Sequence, residues 1–141
     1  MIYICPIIRF LFLSFLLSSL NLVAQTQYWD GTDTTADADG GNGTWDATAT
    51  NWDDSATSGT AQSWASNIAV FGATAGTVNV VGTLDVTSME FNTDNYQIGS
   101  GTLNLAANSS VIEVGSGLNN ITINSDLTGQ GLTKKGAGKL L

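Results

Sequence analysis

Gly82-Thr83-Leu84-Asp85-Val86 returns nineteen residues later as Gly101-Thr102-Leu103-Asn104-Leu105. A looser copy, Asn119-Asn120-Ile121-Thr122-Ile123, follows, and a fourth begins at Gly138-Lys139-Leu140-Leu141. The anchors Leu84, Leu103, Ile121 and Leu140 stand nineteen, eighteen and nineteen residues apart. Val86, Leu105 and Ile123 keep step with them. Each copy alternates apolar and polar, the pattern of a strand with one buried face. A period of this length means one supersecondary unit stacked on copies of itself, because a single unit cannot bury its own apolar face.

The expected fold is therefore all-β: a parallel β-helix, or β-solenoid, in which neighbouring windings make the core jointly. Its corners fall at Asn92-Thr93-Asp94-Asn95, Gly99-Ser100-Gly101, Gly115-Ser116-Gly117 and Asn119-Asn120. Gly and Asn tolerate the left-handed backbone such corners require. No proline follows Pro6, so nothing in the sequence blocks hydrogen bonding between windings.

The last copy carries a more specific pattern. Gly131-Leu132-Thr133-Lys134-Lys135-Gly136-Ala137-Gly138-Lys139-Leu140 resembles the autotransporter-associated β-strand repeat, also called the passenger-associated transport repeat. That motif runs G-L-T-K-x-G-x-G-x-L. Its fixed positions are met by Gly131, Leu132, Thr133, Lys134, Gly136, Gly138 and Leu140. The family usually has Thr where Lys139 stands, and its following Leu-Ser-Gly-x-Asn-x-Tyr segment is not in this sequence. The resemblance implies an exported bacterial surface protein whose repeats form a β-helical stalk. It also implies further repeats of the same parent chain as structural partners. Relatives carry a C-terminal outer-membrane barrel, so outer-membrane association is expected if a barrel follows in the parent protein. These 141 residues hold no set of strands that could make one.

Residues 1–24 have the character of a cleaved signal peptide. Arg9 is the only charge, Phe10 to Leu20 is apolar apart from serines, and Leu22-Val23-Ala24 offers a small residue for cleavage. An uncleaved anchor would need ~20 apolar residues, more than the stretch after Arg9 supplies. Cleavage also removes Cys5, the one cysteine. Disulfides, thiolate chemistry and cysteine metal sites are then excluded from the mature chain.

What remains has twelve acidic residues against Lys134, Lys135 and Lys139. A surface so negative repels a phosphate backbone, which argues against a nucleic-acid partner. The charges are unevenly placed. Asp30, Asp33, Asp37, Asp39, Asp46, Asp53 and Asp54 precede Ser55, and the three lysines follow Gly131.

Residues 25–76 differ from the repeat region, 77–141, in holding all four tryptophans: Trp29, Trp45, Trp52 and Trp64. We expect this segment to be an aromatic-rich cap, since the end of a stack exposes unpaired backbone and apolar side chains. Its phrases Trp29-Asp30-Gly31, Gly43-Thr44-Trp45, Asn51-Trp52 and Ala69-Val70-Phe71 also look like the lead-in ahead of such repeats in related surface proteins. One Trp can bury ~150–250 Å², or about 4–6 kcal/mol at ~25 cal/mol/Å² before entropy. The alternative is a secreted carbohydrate-binding module. There Trp29, Trp45, Trp52 and Trp64 would be glycan contacts, stacking on sugar rings beside Asp and Asn acceptors.

Other chemistries find less support. Asp33 to Asp46 places carboxylates at alternate positions before glycines, as calcium loops do. Counted from Asp37, however, position five is Gly41 and position twelve is Thr48. Gly40-Gly41-Asn42-Gly43-Thr44 also misses the β-roll pattern, with Trp45 ahead of Asp46. We therefore expect no metal and no cofactor. Catalysis lacks His and Cys in the mature chain, and no base adjoins its hydroxyls. Glu90 and Glu113, each flanked by apolar residues, would share an outer face, where two carboxylates could in principle serve glycoside hydrolysis. Strand alternation alone explains them. The expected function is non-enzymatic: a stalk or passenger segment, exported to the cell surface or beyond, with an adhesive role toward an unidentified surface ligand or glycan.

Overall fold

The computed structural model describes residues 24–32, 35–65 and 68–141. The signal-peptide expectation falls almost wholly on residues 1–23, outside the described residues. Fourteen strands and no helix are found among the described residues. The Trp-rich segment supplies β1 (Thr26–Trp29), β2 (Gly43–Trp45), β3 (Trp52–Asp53), β4 (Ala61–Gln62) and β5 (Ile68–Phe71). There follow β6 (Thr77–Val80), β7 (Thr83–Val86), β8 (Ser88–Phe91), β9 (Gln97–Gly99) and β10 (Thr102–Leu105). The last are β11 (Ser110–Val114), β12 (Thr122–Ile123), β13 (Asp126–Gly129) and β14 (Leu132–Lys135).

They make three sheets. The first is ordered β14-β11-β8-β5-β1-β3-β4, the second β12-β9-β6-β2 and the third β13-β10-β7. All pairings are parallel except those of β3 with β1 and β4. From β5 onward the chain visits the first, second and third sheets in that order, then repeats the circuit. Consecutive strands therefore lie on different sheets, and each strand pairs with the one a full circuit away. The first sheet runs from the Trp-rich segment into the repeat region, with no break in pairing at residue 76.

Alternation decides which side chains face inward. Val78, Val80, Leu84, Val86, Leu103, Leu105, Ile112 and Val114 are buried, while Thr77, Asn79, Thr83, Asp85 and Glu113 between them are exposed. β-Branched and long aliphatic residues at period two suit strands buried on one face. Inward positions line up across strands, so the core is built of columns. One column is Phe71–Phe91–Val114.

The repeat register is partly as the sequence implied. Leu84 pairs with Leu103 and Val86 with Leu105, nineteen residues on. Leu103, however, pairs next with Leu127, twenty-four residues on. This corrects the spacing that joined Leu103 to Ile121. Ile121 lies beside the second sheet, where it bridges to Leu140, and Ile123 pairs with Ile98. The circuit is longer here chiefly because residues 106–109 separate β10 from β11, where Thr87 alone separates β7 from β8, and because the 115–121 corner is two residues longer than the 92–96 corner. Corner insertions leave the inward columns intact, so the sheets tolerate a variable period.

The corners fall near the expected places. Asn95, Ser100, Gly101 and Gly117 all have positive φ. At Gly101 a side chain is excluded twice: φ is +48°, and an added Cβ would lie 2.8 Å from the carbonyl oxygens of Val80 and Gly82.

Candidate functional site

The Trp-rich segment folds into one aromatic cluster. Trp29 meets Trp52 edge-on with centroids 5.1 Å apart, Trp45 meets Trp52 at 5.0 Å, and Trp45 meets Trp64 at 4.9 Å. Phe71 touches Trp29, Trp45 and Trp52, and joins the cluster to the columns below. Edge-to-face contacts of this kind add ~0.5–1.5 kcal/mol each beyond burial. Two indole N–H groups reach backbone acceptors: Trp29 Nε1 donates to Gly41 O and Trp64 Nε1 to Asp85 O, both at 2.9 Å. The four tryptophans are 0–7% exposed. None presents a ring face on which a sugar could stack, so the glycan-contact alternative lacks the exposure it needs.

Two polar residues that the sequence did not single out hold this end together. Gln27 is fully buried on an inward position of β1. Its Nε2 donates to Ser63 O at 3.0 Å and its Oε1 accepts from Ala65 N at 2.9 Å, tying down the segment that carries Trp64. Tyr96 is buried against Phe71, and its hydroxyl lies 2.7 Å from both Gly72 O and Thr74 O. Burial pushes its phenol well above the usual tyrosine range. No sequence pattern marks either residue, because their partners lie more than twenty positions away.

In and beside the Asp33–Asp46 stretch, Asp30 and Asp46 bond nearby backbone donors. Asp30 Oδ1 accepts from Asp39 N at 3.1 Å. Asp46 Oδ1 accepts from Ala49 N at 2.6 Å, Thr48 N at 2.7 Å and the Thr48 hydroxyl at 3.0 Å. These donors, Ala49 N–H first, hold the Asp46 carboxyl below the usual carboxylate range. Asp37 and Asp39 are exposed, and Asp33 lies outside the described residues. Among the described residues no three metal-binding side chains converge.

Glu90 and Glu113 do share an outer face. They are register partners on β8 and β11, and Glu113 is the register partner of Lys135 on β14. A shallow groove beside them is lined by Ile68, Ser88 and Val111. Glu90 accepts from Asn92 Nδ2 at 2.9 Å. Strand spacing puts the two backbones ~4.8 Å apart. Glu113 is exposed and Glu90 half-exposed.

The ten-residue motif forms an edge. Leu132 to Lys135 make β14, which pairs with β11 on one side. Register places Lys134 in line with Ile112, on an inward position, and Thr133 in line with outward Val111. Lys134 Nζ donates to the carbonyls of Lys135 and Gly136 at 3.0 and 2.9 Å. Two motif glycines are sterically required. Gly136 has φ +72° and lies against the Val114 backbone; Gly138 is buried, and an added Cβ would meet Gly115 O, Val114 Cγ1 and Leu118 O. Gly131 has only a loose neighbour, Asn108 O, 3.8 Å from an added Cβ. Leu140 packs on the core and bridges to Ile121.

On the outside, hydrogen bonds run from one circuit to the next. Asn104 Nδ2 donates to Asp85 Oδ1 at 2.7 Å. Asp94 Oδ1 accepts from Asn120 N at 2.8 Å and Asn119 N at 3.0 Å. The Asn120 N–H is the chief cause of a carboxyl held below its usual range. The chain matches no family model, no curated protein and no solved structure.

Proposed function

We propose that this chain is a non-enzymatic structural segment of an exported bacterial surface protein, a length of parallel β-helix begun by the Trp-rich cap. The observation that carries the reading is the alignment of inward columns over successive circuits of three sheets. Phe71–Phe91–Val114, Val78–Ile98–Ile123 and Leu84–Leu103–Leu127 each occupy one sheet. Such a core grows by adding circuits, and each circuit contacts only its neighbours. The product is a stiff rod whose outer face is free to vary, which suits a stalk. The polar outer columns and the steric need for Gly136 and Gly138 within the passenger-like motif support the same reading. Export follows from the character of residues 1–24, and surface exposure from the resemblance of Gly131 to Leu140.

The test is expression from the native start in a Gram-negative host, followed by protease treatment of intact cells and mass spectrometry of the N-terminus. A chain beginning at or near Gln25 and shaved from the cell surface is expected. A chain that keeps Met1 and stays inside the cell would overturn the proposal.

A further inference from the structure

The outer face of the first sheet holds a small cleft beside the cap. Tyr28 on β1 and Val70 on β5 are register partners on outward positions. Val70 is nevertheless only 7% exposed, because two bonded loops adjoin it. Ala38 N donates to Ala56 O and Gly59 N to Ala36 O, while Thr74 N anchors the first loop through Asp39 O. Tyr28, Val70, Ala38 and Ala56 line a cleft of about 170 Å³, which Gly72, Ala73 and Asn92 complete. Two of these residues stand in the reverse of the order the backbone asks for. Ala73 has φ +49°, a left-handed conformation that favours glycine. Gly72 lies outside that region, and an added Cβ there would meet nothing within 4 Å. Glycine at 73 would relieve the backbone, and a side chain at 72 would fill open space. Strain of this kind persists where it serves a site, and here the space it accompanies is the cleft.

We propose that this cleft binds one uncharged pyranose ring, a projecting residue of a neutral glycan. Size admits a single six-membered ring, since a cavity of ~150 Å³ holds benzene. Charge selects a neutral one. Asp37 and Asp39 stand exposed on either side of Ala38, and Glu90 is bonded to Asn92, so an anion meets a negative rim. Among the described residues no carboxylate lines the cleft itself, so a cation would lose its hydration there without gaining a counter-ion. Polarity excludes a wholly apolar guest. Asn92 gives one Nδ2 hydrogen to Glu90 Oε1 at 2.9 Å, which leaves its other N–H and its Oδ1 for a ligand, and Tyr28 adds a phenol. A pyranose satisfies both requirements, with an apolar C–H face against the aliphatic and aromatic wall and hydroxyls for the amide and the phenol. The enclosed tryptophans offer no ring face to this site. The inference goes beyond the stalk reading and stands whether or not the protein is exported.

The test is saturation-transfer NMR of the purified protein with the methyl glycosides of glucose, galactose, mannose and N-acetylglucosamine. Glucuronate, tetramethylammonium and cyclohexanol serve as the anionic, cationic and apolar comparisons. At least one neutral glycoside should bind, and more tightly than all three comparisons. Gly72→Val, which fills the cleft, and Tyr28→Ala, which removes its ring, should each weaken that binding about tenfold or more. Near-ultraviolet dichroism of the tryptophans reports folding for both. In wild type labelled at alanine and valine methyls, the same glycoside should shift Ala38, Ala56, Ala73 and Val70 together, which locates the ligand even if a variant misfolds. Failure of all four glycosides to bind would overturn the proposal, as would tighter binding of any comparison compound. So would binding that a folded Gly72→Val protein retains in full, or shifts confined to methyls outside the cleft.

Discussion

Phe71 and Phe91 stack face to face, with ring centroids 4.9 Å apart and planes 11° from parallel. They are register partners on β5 and β8, one circuit apart. The stack is where the aromatic cluster of the first segment passes into the aliphatic columns of the repeats, since Phe71 also touches three tryptophans and Val114 follows Phe91 in register. Removing one ring should leave a void that neither neighbour can close. Phe91→Ala is expected to cost ~3–5 kcal/mol and Phe91→Leu clearly less. Urea unfolding of both variants checks this, and equal midpoints would show that the ring is not part of a packed column.

The tryptophan cluster makes a spectroscopic prediction. With all four indoles enclosed, native fluorescence should be blue-shifted and poorly quenched by acrylamide. Trp45→Ala should destabilise by ~3–5 kcal/mol, a large share of a total that is typically ~5–15 kcal/mol. A strongly quenched native spectrum, or a Trp45→Ala protein as stable as wild type, would place the rings at the surface and revive the sugar-binding alternative.

Asp94 gives a pH dependence of known sign. Its carboxyl is held below the usual range by the Asn120 and Asn119 N–H groups. A depressed native pKa means that the unfolded state takes up the proton first. The contribution is therefore present above the unfolded carboxylate pKa of about 3.9 and is lost as pH falls through the native value. Asp46, held down by Ala49 and Thr48, acts in the same direction. Thermal melts from neutral to acid pH should show the loss. Asp94→Asn should lower stability at neutral pH and flatten the acid slope, and an unchanged slope would argue that the staple between corners is absent in solution.

The motif glycines should separate cleanly. Gly136→Ala would put a side chain at φ +72° against the Val114 backbone, and Gly138→Ala would force one between Gly115 O and Val114. Each should cost ~1–3 kcal/mol by overpacking or backbone strain. Gly131→Ala, with open space around it, should stay within about 0.5 kcal/mol of wild type. Melting temperatures of the three variants test the register of β14 on β11.

Pairing of Leu103 with Leu127 can be trapped covalently. Asn104 and Thr128 are outward register partners, and neighbouring strands bring Cα atoms within the range a disulfide spans. Asn104→Cys/Thr128→Cys should oxidise readily, whereas Asn104→Cys/Thr122→Cys, the pair implied by a uniform period, should not. The reverse result would restore the uniform spacing.

Sequence alone determined what depends on near neighbours. Thr83-Leu84-Asp85-Val86 and Thr102-Leu103-Asn104-Leu105 announce strands with inward Leu and Val, and glycine with asparagine announces corners, because burial of one strand face has a period of two. The first pairing, Leu84 with Leu103, was also legible, since Gly82-Thr83-Leu84 recurs unchanged as Gly101-Thr102-Leu103. Tertiary structure alone decided the next pairing, because the β10–β11 and β11–β12 corners lengthen at little cost while the inward columns stay aligned. It likewise decided the enclosure of Trp45, the burial of Gln27 and the tie of Tyr96 to Gly72. Each of these depends on groups from distant stretches meeting in one volume, and local alternation carries no information about which distant groups those are.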